Sequence, residues 1–409
     1  MASSERRTGF TQLVKEHELY PQEAPAMLKT SKMKMYIGIP KETSFQENRL
    51  ALTPHAIGLL VNNGHEIFVE SGAGNPSKYS DTDYSEMGAL IVQTAEEAYK
   101  ADYILKVEPP TEEEFKFLRP GQTLFSAIQS TTIKLEYLKG LINKRINAIA
   151  FEYIKDESNT MPIVRSMSEI TGSTVMLVAA ELLSSTNNGR GIILGGITGV
   201  PPTQVVILGA GTVAEYATRT ALGLGAEVKI FDTSIFRLRR LKHSLNREIF
   251  TSIISPAILA SSLKTADVVV GAISPEKGTT TYVVPEELIR KMKPNSVIID
   301  VSIDQGGCFE TSKVTTHLNP TFKVHEVIHY CVPNISSRVA RTATKALSNT
   351  LAPILLSIGE KGGFEQALWE DNGLRNGVYS YKGHLTNQFL AEKFSLKHQD
   401  ISLMIISRI

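Results

Sequence analysis

An α/β fold of two doubly wound parallel-sheet domains follows from three features of this 409-residue chain. Short apolar, β-branched runs alternate with helical stretches from residue 34 to about 160, the pattern of a parallel sheet covered on both faces. The alternation resumes after Gly191. Between Gln204 and Asp232 a strand, a glycine turn, a helix and a second strand follow one another directly.

Residues 1–33 read as an N-terminal extension, with a short helix expected around Phe10–Tyr20 and stopped by Pro21. The first core strand is expected at Met35–Ile39. Thr53-Pro54 then places Thr at the N-cap and Pro at the first helical position of a helix that runs to about Val61. Strands are expected at His65–Val69, Leu90–Val92, Tyr103–Val107, Thr123–Ile128 and Asn147–Phe151, with helices at Ala95–Tyr99 and Leu135–Ile142. This half has no strand–glycine–helix fingerprint, so it is expected to hold substrate. A helix from about Ser168 to Ser184 links it to the next half, with Ser168-Glu169 offering a capping hydroxyl and free N–H groups.

The second half opens on Val205–Leu208, a buried-strand run, and Gly209-Ala210-Gly211-Thr212-Val213-Ala214, a G-x-G-x-x-A turn. Gly209 permits the tight turn, Gly211 admits a pyrophosphate to the backbone, and Ala214 lets the helix pack close to the strand. The helix N-terminus offers N–H groups and a positive dipole end to the phosphates. Asp232 lies 18 residues after Ala214, where a carboxylate accepts the adenosine ribose hydroxyls. This is a Rossmann NAD-binding domain; the same carboxylate repels a 2′-phosphate and favours NAD over NADP. Later strands are expected near Phe250–Ile253, Val268–Gly271 and Val297–Val301. Ligands of open α/β sheets bind beyond the carboxyl ends of strands. That puts Ile273-Ser274 and Val301-Ser302-Ile303-Asp304 beside the nicotinamide, with the Asp304 carboxylate well placed for chemistry. Asp300 points to the opposite face from Val301 and reads as structural. From about Arg341 a helical pattern brings the chain back onto the first half. The expected division is 34–162 with 341–409 for substrate and 163–340 for NAD.

Net charge of +1 supplies no basic footprint for nucleic acid. Two cysteines, Cys308 and Cys331, make no disulfide framework, so a reducing cytoplasm is the default. No apolar run is long enough to span a bilayer. His325-Glu326-Val327-Ile328-His329 spells the H-E-x-x-H zinc pattern, which requires a helix. Its surroundings read as strand or loop, where histidines four apart stand ~13 Å from each other. No metal is expected.

The segments GIPKE (38–42), NRLALTP (48–54), GHE (64–66), LKV (105–107), MSEI (167–170), the glycine turn, IDQGGCFE (303–310) and YCVPN (330–334) resemble, in order, the alanine dehydrogenase family, which is related to the NAD-binding subunit of nicotinamide nucleotide transhydrogenase. The resemblance covers about residues 34–405. It implies NAD-dependent, reversible oxidative deamination of L-alanine to pyruvate and ammonium by a homo-oligomer, commonly a homohexamer. By position it makes Arg49 the holder of the substrate carboxylate, Lys106 the contact to the substrate carbonyl or nitrogen, and Asp304 the catalytic aspartate. It puts Ser168, Thr212, Val213, Asp232, Arg237, Ile273, Ser274, Val301, Ser302, Ile303, Asp304, Val332, Pro333, Asn334 and Ile335 at nucleotide-contact positions. Gln129 stands where the family carries a catalytic histidine. A glutamine can hydrogen-bond a substrate but does not titrate near neutral pH. A transhydrogenase-like NAD(H) module and an NAD(H) sensor with little activity stay open beside the enzyme.

Overall fold

The computed structural model describes residues 32–128, 133–273 and 282–406. The expected helix at Phe10–Tyr20 lies outside them, as do Gln129 and Ser274. Fifteen strands form two sheets among the described residues. The first half supplies β1 (Tyr36–Ile39), β2 (Glu66–Glu70), β3 (Leu90–Val92), β4 (Tyr103–Leu105), β5 (Thr123–Ser126) and β6 (Asn147–Ala150). The second supplies β7 (Gln204–Leu208), β8 (Glu227–Asp232), β9 (Phe250–Ile253), β10 (Val268–Gly271), β11 (Val297–Asp300), β12 (Thr321–Val324) and β13 (Val327–Tyr330). The chain then returns to the first sheet with β14 (Val378–Tyr381) and β15 (His384–Leu385).

The first sheet runs β15-β14-β6-β5-β4-β1-β2-β3 and the second β12-β13-β11-β10-β7-β8-β9. Every pairing among β1 to β6 is parallel, as is every pairing among β7 to β11 and that of β11 with β13. The exceptions lie at the edges: β14 is antiparallel to β6 and to β15, and β12 to β13. β5 and β6 are buried along their whole length, as are β10 and β11. Continuous rather than alternating apolar runs are what two covered faces demand.

Four helices position the site. Helix α1 (Pro54–Asn62) starts as expected: Thr53 Oγ1 accepts from the Ala56 N–H and Pro54 takes the first turn. Helix α2 (Pro162–Leu183) links the halves. It begins six residues before Ser168, because Pro162 fits the first turn, where its missing N–H costs nothing. The expected cap at Ser168 is therefore corrected: that residue lies inside the helix, where its N–H groups serve the helix itself. Helix α3 (Thr212–Gly223) follows the glycine turn. Helix α4 (Ala340–Glu360) returns to the first half, where Thr344 Oγ1 accepts from the Leu50 N–H at 2.9 Å and Ser348 Oγ from the Thr53 N–H at 3.0 Å.

α2 crosses α3 at Gly172. A Cβ there would meet the Val213 carbonyl oxygen at 2.4 Å and the Ala217 nitrogen at 3.0 Å. Gly172→Ala gains about 1 kcal/mol of helix propensity. Overpacking against backbone costs about 1–3 kcal/mol, and the rigid 2.4 Å contact puts this site at the upper end. The expected outcome is a lower urea midpoint together with weaker NADH binding, because the displaced helix is the one that follows the glycine turn; an unchanged midpoint would contradict the packing argument.

Candidate active site at the junction of the two halves

The fingerprint turn folds as a dinucleotide cradle. Gly209 has φ of +110°, and a Cβ there would meet the Ala272 carbonyl oxygen at 2.4 Å. Gly211 is the N-cap of α3, with no side chain capping the helix and open space where its Cβ would be. Free helix N–H groups beside an open glycine fit a pyrophosphate. Ala214 is fully buried against the strand layer. Thr212 and Val213 form the first turn of α3 and are half-buried. Asp232, at the end of β8, is 3 % exposed. One carboxylate oxygen accepts from the Ala210 N–H at 2.7 Å and the other from the Ser234 N–H at 2.7 Å. The acid thus clamps the glycine turn before any ribose arrives, and each oxygen keeps a lone pair for a hydroxyl. Arg237 is exposed on the following helix.

β11 ends at Asp300, which is fully buried and accepts from the Cys308 N–H at 2.8 Å and the Ser312 hydroxyl at 2.6 Å. Its structural reading stands. Asp304 lies in the short turn Ile303–Gln305 that follows; the residue is open to solvent, but protein packs around its carboxyl group. Lost hydration and the nearby Asp300 charge raise its carboxyl above the usual range. Half-buried Ile273 follows β10; its carbonyl accepts the buried Cys308 thiol at 3.6 Å. Val301 is half-buried, whereas Ser302 and Ile303 are buried. Val332 and Ile335 are core side chains at 1 % and 3 % exposure. Their backbone is what they can offer a nucleotide; Pro333 and Asn334 between them are half-buried.

The Gln46–Arg49 stretch reaches across to the second half. Ser337 Oγ accepts from the Asn48 N–H at 2.9 Å and donates to the Gln46 carbonyl at 2.9 Å. Asn334, at φ of +58°, donates its amide to Glu47 Oε2 at 2.6 Å. The His317 N–H donates to Gln46 Oε1 at 2.5 Å. At the centre is Arg49. Its Nε and Nη2 donate side-on to the two Glu47 oxygens at 2.8 and 2.6 Å, and Nη1 donates to Ser336 Oγ at 3.1 Å. Met167 of α2 lies 3.6 Å from Nη1, and Glu108 Oε1 lies 3.7 Å from Nη2. Glu47 therefore takes the side edge of the fork. The Nη1–Nη2 edge faces Ser336 and Glu108, and a planar two-donor edge matches a carboxylate.

Lys106 departs from expectation. It is fully buried, and its ammonium donates to Glu114 at 2.9 Å and the Lys41 carbonyl at 3.0 Å, with Glu42 at 3.3 Å. Those partners use its three donors. Burial opposes its charge, but Glu42 and Glu114 outweigh burial and hold its pKa above the usual value. Glu42 in turn accepts from the Val107 N–H at 2.6 Å and the Glu108 N–H at 3.3 Å. Lys106 thus anchors the segment that carries Glu108. Ile128, the last described residue before Gln129, donates its N–H to Glu152 at 2.7 Å, and burial pushes the Glu152 carboxyl up to about 7.

His325 and Glu326 form the two-residue turn of the β12–β13 hairpin, both with positive φ. The H-E-x-x-H sequence is not on a helix. His329 is buried, hydrogen-bonded to Thr311 at 2.7 Å and stacked on Phe322. No group of three metal-ligating side chains occurs among the described residues, and none of their helices is long and apolar enough to cross a membrane.

Sequence reasoning missed Glu42, Glu47, Glu108, Ser336 and Ser337. Glu47 and Glu108 had a weak signal, each lying two residues from a residue already singled out.

The family model for the alanine dehydrogenase/PNT N-terminal domain matches residues 38–171, and that for the C-terminal domain matches residues 175–388. Alanine dehydrogenase 2 of Staphylococcus aureus strain USA300 is 38 % identical over 368 residues, covering 90 % of this chain and 98 % of that protein. A solved L-alanine dehydrogenase superposes with a TM-score of 0.83 at 34 % identity, over 88 % of this chain and 99 % of that one. A transhydrogenase from Sinorhizobium meliloti, at 23 % identity and a TM-score of 0.73 over 86 % of this chain and 99 % of that one, shares the fold. Together with the cradle at Gly209–Ala214 and the arginine edge at the junction, these matches establish that the chain belongs to the alanine dehydrogenase/PNT family.

Proposed function

We propose that this protein is an NAD-dependent L-alanine dehydrogenase, which interconverts L-alanine with pyruvate and ammonium. One observation carries the reading: Arg49 is half-buried at the junction, gripped side-on by Glu47, and its Nη1–Nη2 edge faces Ser336 of the NAD-binding half. A substrate carboxylate on that edge is fixed by parallel charge-assisted hydrogen bonds. NAD, held by the Gly209–Ala214 turn and Asp232, supplies the hydride acceptor. Asp304 exchanges protons with the substrate, since a carboxyl raised above its ordinary range titrates closer to neutrality. Lys106 acts through Glu42 and the Val107–Glu108 backbone rather than by direct contact. Gln129 is assigned a hydrogen bond to substrate. The remaining nucleotide-contact positions carry over as the resemblance gives them, Ser168 and Ser274 included. A cytoplasmic homo-oligomer, hexameric by resemblance, belongs to the same reading; elution at a monomer's mass would contradict it.

The test is NADH oxidation by the purified protein with pyruvate plus ammonium, with a panel of other 2-oxo acids alongside. Turnover with pyruvate is expected. In Asp304→Asn, kcat is expected to fall ~100-fold, within the range lost with an acid–base group, while NADH still binds. Unchanged turnover removes Asp304 from its role. NADH binding without turnover of any oxo acid favours the sensor reading.

A further inference from the structure

Glu108 has no role in the reaction as described so far. Its side chain is buried, lies 3.7 Å from Arg49 Nη2, and lines a cavity of about 390 Å³ with Phe115, Ile128 and Tyr137. It therefore stands between the Nη1–Nη2 edge of the guanidinium, which Ser336 and Met167 also meet, and a space large enough for a small amino acid. Glu47 already neutralises Arg49 from the side. A substrate carrying only a carboxylate meets a guanidinium flanked by two acids, whereas a substrate carrying an ammonium as well satisfies both.

We propose that Glu108 receives the substrate nitrogen: Arg49 and Glu108 together bind an α-amino acid as its zwitterion, and Glu108 takes a proton from the α-ammonium. The inference rests on the amino-acid dehydrogenase reading and adds, beside the proton exchange assigned to Asp304, the group that takes the ammonium proton. An N–H bond of the ammonium breaks and an O–H bond forms on Glu108. The electron pair left on nitrogen forms the C=N bond as the Cα–H bond breaks. The hydride reduces NAD, and the amino acid is oxidised. Water then adds to the C=N carbon and ammonia leaves.

The charge pattern suits the role. Two carboxyls share one guanidinium, and their environments push them apart. Burial opposes ionisation of Glu47, but Arg49 outweighs it and holds Glu47 below the usual range. Burial raises Glu108 to about 7, and the protonated Glu108 hydrogen-bonds Glu47. The charged groups facing Glu108 are Arg49, Glu47 and Glu42. Glu112, Lys134 and Glu136 stand on the cavity wall. Glu108 thus changes charge near neutral pH, where a free amino acid keeps its ammonium.

The test is calorimetric titration of the full-length protein, saturated with NADH, with L-alanine and separately with propionate, which lacks the nitrogen. Wild-type affinity for L-alanine is expected to rise about tenfold from pH 6 to pH 8, the change in the ionised fraction of a group titrating near 7; propionate should gain nothing over that range. Glu108→Gln should abolish the rise, weaken L-alanine at pH 8 at least tenfold, and leave propionate as tight or tighter. A flat wild-type profile, or a Gln variant that binds L-alanine like the wild type, overturns the proposal. The wild-type profile decides even if the variant fails to fold. Zwitterion-selective binding without alanine turnover would sink the dehydrogenase reading and leave the Glu108 assignment standing.

Discussion

Lys106→Met is expected to destabilise the protein by about 3–5 kcal/mol, the cost of removing one partner from a buried ion pair. The methionine fills most of the volume, so the loss is electrostatic. Glu42 and Glu114 are then left in the interior with no cation, and the Lys41 carbonyl loses its donor. Both acids can take up protons, which limits the loss and moves it toward higher pH. The Val107 and Glu108 N–H groups lose the fixed carboxylate that orders them. Urea unfolding at neutral pH reads the effect directly. A loss below about 1 kcal/mol would mean that the triad contributes little, as exposed pairs do.

Arg49→Lys is expected to raise KM for L-alanine and pyruvate ~100-fold or more while the protein stays folded. The charge that balances Glu47 and Glu108 is kept, so no uncompensated carboxylate is created. What disappears is the planar fork. An ammonium cannot hold Glu47 side-on and offer a second parallel pair to the substrate. Two charge-assisted hydrogen bonds are worth about 1.5–3 kcal/mol each, and about 2.7 kcal/mol is a hundredfold. A KM within threefold of wild type would place the substrate carboxylate elsewhere.

The periodic parts of the fold were legible because periodicity is local. β9 and β10 have the bounds their apolar runs predict, and the fingerprint from Gln204 to Asp232 is strand, turn, helix and strand. The start of α2 was misread because Ser168 is a good capping residue in isolation; Pro162 upstream fits the first turn and carries the helix through it. β14 and β15 escaped because the C-terminal region reads as helical, and the pairing of β14 with β6 joins segments more than 200 residues apart. At the site, Arg49, Asp232 and Asp304 were legible as residue types in recognisable surroundings. The environment of Arg49 was not: Glu47, Glu108, and Asn334 with Ser336 come from three stretches of chain brought together by both sheets. The exposure of Lys106 was equally unreadable, since a lysine after a strand can reach solvent or an internal acid, and only packing decides.

In the proposed reaction Arg49 holds an amino acid whose α-hydride passes to NAD in the adjoining half. Incubation with NAD and L-alanine deuterated at Cα tests it most directly, with mass analysis of the reduced dinucleotide. One deuterium in each NADH formed and one pyruvate for each NADH are expected. Unlabelled NADH, or bound NAD that stays oxidised beside bound L-alanine, would contradict it.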